Sequence, residues 1–224
     1  MSVSLADALR CLSTQAADSL VDCLRVKGCI PAARLSCRAL RACVDGSVQS
    51  LETTLRAGDR QRWEAGQLPS LALWPRCRSV GVTLDARGRN DVTRLALLPF
   101  AGQEPAALQR IEALALRTPA FGMCATNGEQ LVCALVQQLP GLRALDFLLP
   151  ECMSYDPLQQ QLMHDALAAM PRLARLVLPS GRTLDRVGTL AASISLRILC
   201  INLWSSRRDE PLLSDAAAAG LKRL

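Results

Sequence analysis

His164 is the only histidine in this 224-residue chain, so chemistry that needs an imidazole has one place to reside. The ten cysteines are the candidate nucleophiles, and a cysteine–histidine pair would have to use that ring. On the helix expected over 158–170 the apolar face is Leu158, Leu162, Met163, Ala166, Leu167 and Met170, which places His164 on the wet margin. No catalytic motif surrounds any cysteine. Zinc chelation fares no better: there is no C-x-x-C pair, and Cys23 with Cys29 and Cys37 with Cys43 lack nearby histidines. Gly81 and Gly88 lack phosphate-loop spacing, and Gly181-Arg182-Thr183 has no P-loop around it. Glu151 and Asp156 are read as solvated loop acids. The expectation is a protein without catalytic residues, cofactor or metal.

The composition points to a binding or structural role. Half of the residues are hydrophobic and only 3% are aromatic, so the core is expected to be stacked Leu, Ala and Val. The net charge of +6 is carried almost wholly by arginine, with lysine only at Lys27 and Lys222. These arginines are spread along the sequence, the longest cluster being Arg207-Arg208, and few aromatics could stack on bases, so no nucleic-acid partner is expected. The first twelve residues lack a basic region followed by an apolar one, and no apolar run would span a bilayer. The cysteines are therefore read as small buried hydrophobes in a reducing compartment. That compartment is taken as the cytoplasm, with the nucleus and the cytoskeleton or axoneme as other settings, and no membrane partner is expected.

The strongest pattern is a repeat. Leu131, Val132, Leu135, Val136, Leu139, Pro140, Leu142, Leu145 and Phe147 match Leu162, Met163, Ala166, Leu167, Met170, Pro171, Leu173, Leu176 and Leu178, without a gap, at an offset of 31. The first part of each copy has helical period, and Asp156-Pro157 supplies the second helix with a cap and a first-turn proline. The second part reads L-x-x-L-x-apolar and ends with the alternation of a strand. Further copies are Ile111 to Leu116 and Leu196 to Ile201, and weaker ones are Cys77 to Val82 and Val48 to Thr53. Val92 to Leu97 fits the letters, but the Asn90-Asp91 start and the Pro99 stop predict a helix. A further helical stretch is expected through Leu184, Val187, Leu190, Ala191 and Ile194.

These motifs resemble the leucine-rich-repeat family. The resemblance implies an α/β fold, an irregular solenoid of short parallel strands alternating with helices over residues 47–224, preceded by a small helical region over 1–46. An ordinary α/β domain with a parallel sheet is the alternative, and the gapless match favours the solenoid. The family's turn asparagine or cysteine is replaced by Pro119, Pro150, Gly181 and Trp204, which predicts irregular turns.

In the N-terminal region, Ala32 to Asp45 resembles the second half of an F-box, and the likeness covers about residues 16 to 46. It implies binding to the Skp-type adaptor of a cullin ubiquitin ligase, with Leu20, Leu24, Ile30, Leu35 and Leu40 as the adaptor-binding residues. The other reading is a cap over the open end of the solenoid. At the other end Ser214-Asp215 can start a helix, and Leu221-Lys222-Arg223-Leu224 repeats L-x-x-L, so a fragment of a longer solenoid is expected.

Strand alternation then defines a concave face. It places Ala113, Ala115, Ala144, Asp146, Leu148, Arg175, Val177, Ile198, Cys200 and Asn202 outward. A surface this apolar is expected to bind a protein or peptide, with Asp146 and Arg175 as polar anchors. The function implied is a protein-interaction module, as a ligase's substrate-binding subunit or as a cytoskeletal or axonemal scaffold.

Overall fold

A computed structural model describes residues 4–56, 58–65, 71–85, 92–117, 128–149, 156–179, 184, 186–202 and 218–220. The turn positions Pro119, Pro150, Gly181 and Trp204, the Arg207-Arg208 pair, Glu151, the Asn90-Asp91 start and the terminal Leu221–Leu224 motif lie outside the described residues.

Four helices come first: α1 (Leu5–Arg10), α2 (Thr14–Val26), α3 (Ile30–Ser36) and α4 (Arg38–Gly46). Ser13 caps α2 by accepting a hydrogen bond from the Ala16 amide, and Cys37 Sγ accepts from the Leu40 amide at the start of α4. Val21, Ala33 and Val44 form a small core, against which Leu24, Ile30, Leu40 and Cys43 pack. An ion pair between Arg34 and Asp45, at 2.9 Å, ties α3 to α4. The Arg76 guanidinium, in the turn before the second strand, grips both carboxylate oxygens of Asp18 on α2 at 2.7 and 3.0 Å. Arg76 and then Ser47 hold the Asp18 carboxyl below the usual carboxylate range.

Beyond α4 the chain alternates strands and helices: β1 (Ser50–Arg56), α5 (Asp59–Glu64), β2 (Ser79–Asp85), α6 (Val92–Leu97), α7 (Pro105–Gln109), β3 (Ala113–Arg117), α8 (Gly128–Gln138), β4 (Ala144–Leu148), α9 (Pro157–Ala168), β5 (Arg175–Pro179) and β6 (Ile198–Asn202). The strands form one parallel sheet in the order β1-β2-β3-β4-β5-β6. Leu95 of α6, Leu131 and Leu135 of α8, and Met163 and Leu167 of α9 share one core with the inward strand residues, so these helices lie on the same face of the sheet, as right-handed crossovers require. Helix packing follows suit, α8 against α9 and α9 against the 3-10 segment Val187–Ala192.

The sheet register is the one the motifs predict. Leu51, Val80, Leu114, Leu145, Leu176 and Leu199 lie side by side across all six strands. From Val80 to Leu176 this row is at most 2% exposed. Val82, Leu116, Phe147 and Leu178 make a second buried row beneath the helices. The first leucine of each motif, or its equivalent (Cys77, Ile111, Leu142, Leu173), is also buried and closes one end of the core.

The turns entering the strands repeat one hydrogen-bonding device. The carbonyl one residue after that first apolar position accepts from two successive amides of the next turn. Gln49 takes Arg78 and Ser79, Arg78 takes Glu112 and Ala113, Glu112 takes Arg143 and Ala144, Arg143 takes Ala174 and Arg175, and Ala174 takes Arg197 and Ile198. Backbone polar groups that the strands leave over are thereby paired from copy to copy.

Several expectations hold in detail and others need correction: of the described cysteines only Cys77 is buried, while Cys11, Cys23, Cys29 and Cys200 are exposed, so most are not core hydrophobes. Val92–Leu97 is helical, and Asp156 caps α9 with Pro157 at its first position. The segment after β5 is a 3-10 helix, because Leu184, Val187 and Leu190 recur every third residue, and all three are buried while Ile194 is 83% exposed. His164 is not on a wet margin: it is 0% exposed, and Gln160 beside it is also buried. Leu158 and Leu162, assigned to the apolar face of α9, are exposed. The 3-10 segment causes this turn of the helix by packing on the Gln161 side of α9, where Gln161 Nε2 donates to Thr189 Oγ1 at 3.2 Å, so His164 becomes covered.

Candidate functional site

The face of the sheet away from the helices is a continuous surface that crosses all six strands. Three rows cross it. The first runs Ser50, Ser79, Ala113, Ala144, Arg175, Ile198, and the second Glu52, Gly81, Ala115, Asp146, Val177, Cys200. The third carries Thr54, Thr83, Arg117 and Leu148. The centre is small and apolar, with Ala113, Ala115, Ala144 and Leu148 all partly exposed.

Ion pairs frame that centre. The Asp146 carboxylate and the Arg175 guanidinium, the two expected polar anchors, pair directly with each other across β4 and β5. On the other side Glu52 reaches across β2 to Arg117 on β3, at 3.4 Å. That reach exists because β2 carries Gly81 at the crossing point. A Cβ added there would come within 2.0 Å of the Glu52 carboxylate. Both pairs are partly open to water and add little stability; what they do is fix the position of charge on either side of the apolar centre.

Ile198, Cys200 and Asn202 on the edge strand β6 are exposed, Ile198 at 51%. Ala144, Asp146 and Arg175 are partly exposed. Val177 corrects its expected exposure. Its register position is on this face, but it is only 8% exposed, so it serves as floor beside Asp146 and Cys200. Glu52, Gly81 and Arg117 were missed by the sequence reading. The weak motif Val48 to Thr53 held the signal, since aligning it with the others places Glu52 in line with Asp146.

The residues expected to hold an adaptor are divided by the structure. Leu24, Ile30 and Leu40 face the small helical core, and Leu20 is half-buried, so these are not free contact residues. Leu35 alone stands out, 80% exposed at the end of α3.

Burial pushes the thiols of Cys43, Cys77 and Cys133 up, away from the thiolate form. Neither ring nitrogen of His164 makes a well-formed hydrogen bond, and burial lowers its pKa to about 4. Among the described residues no group of three or more His, Cys, Asp and Glu side chains could hold a metal ion, and no helix is long and apolar enough to cross a membrane. The arrangement is suited to contact.

No protein-family model matches the chain, and neither a curated protein nor a solved structure does.

Proposed function

We propose that the chain is a short, irregular leucine-rich-repeat-like solenoid that binds a protein or peptide partner on the bare face of its sheet. The observation that carries this reading is the six-strand row from Leu51 to Leu199, together with the carbonyl that accepts two amides at every step. A structure in which each copy contacts its neighbour in the same way is quasi-one-dimensional, and such structures expose a long regular surface for partners.

Charge exchange at the Asp146–Arg175 pair tests the surface. Asp146→Arg, Arg175→Glu and the double exchange are each expected to reduce recovery of proximity-labelled partners about tenfold, the effect of roughly 1.4 kcal/mol of contact energy. The double exchange restores the internal pair, so its circular dichroism and melting should match wild type. Unchanged recovery by the double exchange would remove this face from the binding surface.

The likeness of Ala32 to Asp45 to an F-box supports a second setting, a substrate-binding subunit of a cullin ubiquitin ligase. The inward packing of Leu24, Ile30 and Leu40 favours the simpler one, in which these helices cap the solenoid of a scaffold protein. Co-expression with a Skp-type adaptor separates them. The scaffold reading expects no co-purification, whereas adaptor capture that Leu35→Asp abolishes would assign the chain to the ligase.

A further inference from the structure

The arginines scattered along the sequence are gathered by the fold. The stacked turns that enter the strands form one rim of the sheet, and they carry Arg78, Arg110, Glu112, Arg143, Arg172 and Arg197. Arg78, Glu112 and Arg143 occupy equivalent places on successive turns, each one residue before β2, β3 and β4, and are joined by backbone bonds of 2.7 Å. Arg197 has the same place before β6. Arg110 and Arg172 precede the first apolar residue of their motifs, two positions further out in the turn. Neighbouring turns lie about one strand spacing apart, ~4.8 Å, so the cations follow one another along a ridge.

The ridge is not neutralised from within. Glu112 is its one carboxylate, and Arg78 at 3.0 Å and Arg143 at 3.9 Å share it. The Nε of Arg110 is buried and lacks a hydrogen-bond partner. Arg172 is exposed and makes no ion pair among the described residues, and Arg197 bonds only the carbonyls of Ile194 and Leu196. The carbonyl ends of α8 and α9 point toward this rim, because each helix runs back from the far end of one strand to the start of the next. Their dipoles offset part of the repulsion and let like charges stack, but they supply no carboxylate for the guanidinium forks.

We propose that this ridge docks an acidic peptide segment of a partner protein. Guanidinium forks spaced at strand intervals suit carboxylates on an extended chain, with two-pronged contacts that a lysine could not make. Phosphate backbones offer similar charge, but single-stranded nucleic acid also needs aromatic platforms for its bases. Among the described residues the ridge has none: Trp74, Phe100 and Phe147 are all buried. The surface is separate from the bare face of the sheet, so the ridge can hold while the face fails, and the reverse.

Fluorescence anisotropy of a labelled polyglutamate peptide with the full chain tests the proposal, alongside an oligothymidine of matching length. Saturable peptide binding that weakens with added salt is expected, and Arg143→Glu/Arg172→Glu/Arg197→Glu should weaken it at least about tenfold. The glutamine triple Arg143→Gln/Arg172→Gln/Arg197→Gln should weaken it in the same direction, and it answers the question if the glutamate triple fails to melt cooperatively. Arg10→Gln, at the exposed end of α1 and outside both surfaces, should leave peptide binding unchanged. No saturable peptide binding at low salt, tighter binding of oligothymidine than of peptide, or wild-type affinity in the glutamine triple would each overturn the assignment.

Discussion

Gly141→Ala is expected to destabilise the protein by about 3 kcal/mol, at the upper end of what overpacking of a close contact costs. The substitution adds one methyl group, which elsewhere would be harmless or helpful, since replacing glycine in a compatible conformation stabilises by about 0.4–1 kcal/mol. At position 141 the added Cβ would stand 2.1 Å from the Gln109 carbonyl oxygen and 3.0 Å from its carbon. Both atoms are backbone, so no side chain can swing away. Relief requires the turn before β4 to lift from the turn before β3. That movement strains the bonds from the Arg143 and Ala144 amides to Glu112, at 2.7 and 2.9 Å, on which the stacking of the two copies depends. Urea unfolding and thermal melting measure the effect, and for a chain of this size the melting midpoint should fall by roughly 6–12 °C. Gly46→Ala is the matched control, because nothing lies within 4 Å of its added Cβ, and its stability should stay near wild type. Equal behaviour of the two variants would mean that the turns are not stacked as described.

Gly141 also shows what a sequence conveys about such a fold and what it withholds. The strand register was legible, even through the degenerate copies at Val48 and Cys77, because burying one face of each strand forces the same two apolar positions at every step. The outward residues follow from that register, and the choice of a helix for 92–97 followed from local turn chemistry. Gly141, by contrast, aligns with Arg172 one repeat later and with Arg110 one repeat earlier, and only the distance between neighbouring turns explains why a glycine stands between two arginines. The basic rim was hidden for a related reason. Charges 30 or so residues apart in sequence become neighbours about 5 Å apart once copies stack, and counting runs of arginine along the chain does not detect that. The rotation of α9 was hidden because periodicity assumes that a helix is covered on one side. This helix is flanked by α8 and by the Val187–Ala192 segment as well as by the sheet.

That rotation leads to the other large effect expected of this protein, a loss of about 3 kcal/mol of stability between pH 6.5 and pH 4 that His164→Leu removes. His164 is fully buried with no well-formed hydrogen bond at either ring nitrogen, and its pKa falls from 6.5 to about 4. Burial drives the shift, while the Arg186 backbone and the Asp165 carboxylate pull weakly the other way. In the unfolded chain the ring titrates near its ordinary value, so between these two pH values the unfolded state binds a proton that the folded state refuses. Stability is therefore complete above pH 6.5, declines as the pH falls through the window, and stops declining on this account below pH 4. A shift of this size corresponds to about 3 kcal/mol. Because the chain has no second histidine, no other imidazole can contribute to the slope. Carboxylates such as Asp18, held low by Arg76, begin to lose their stabilising charge only below about pH 5, which leaves the upper part of the window to His164. Leucine fills a similar volume without nitrogens that need partners, so His164→Leu should flatten the profile without loss of stability at pH 7. Urea unfolding at half-unit pH steps gives the profile. A flat wild-type profile, or a slope that persists in the leucine variant, would place the ring in water and undo the packing of Val187–Ala192 against α9.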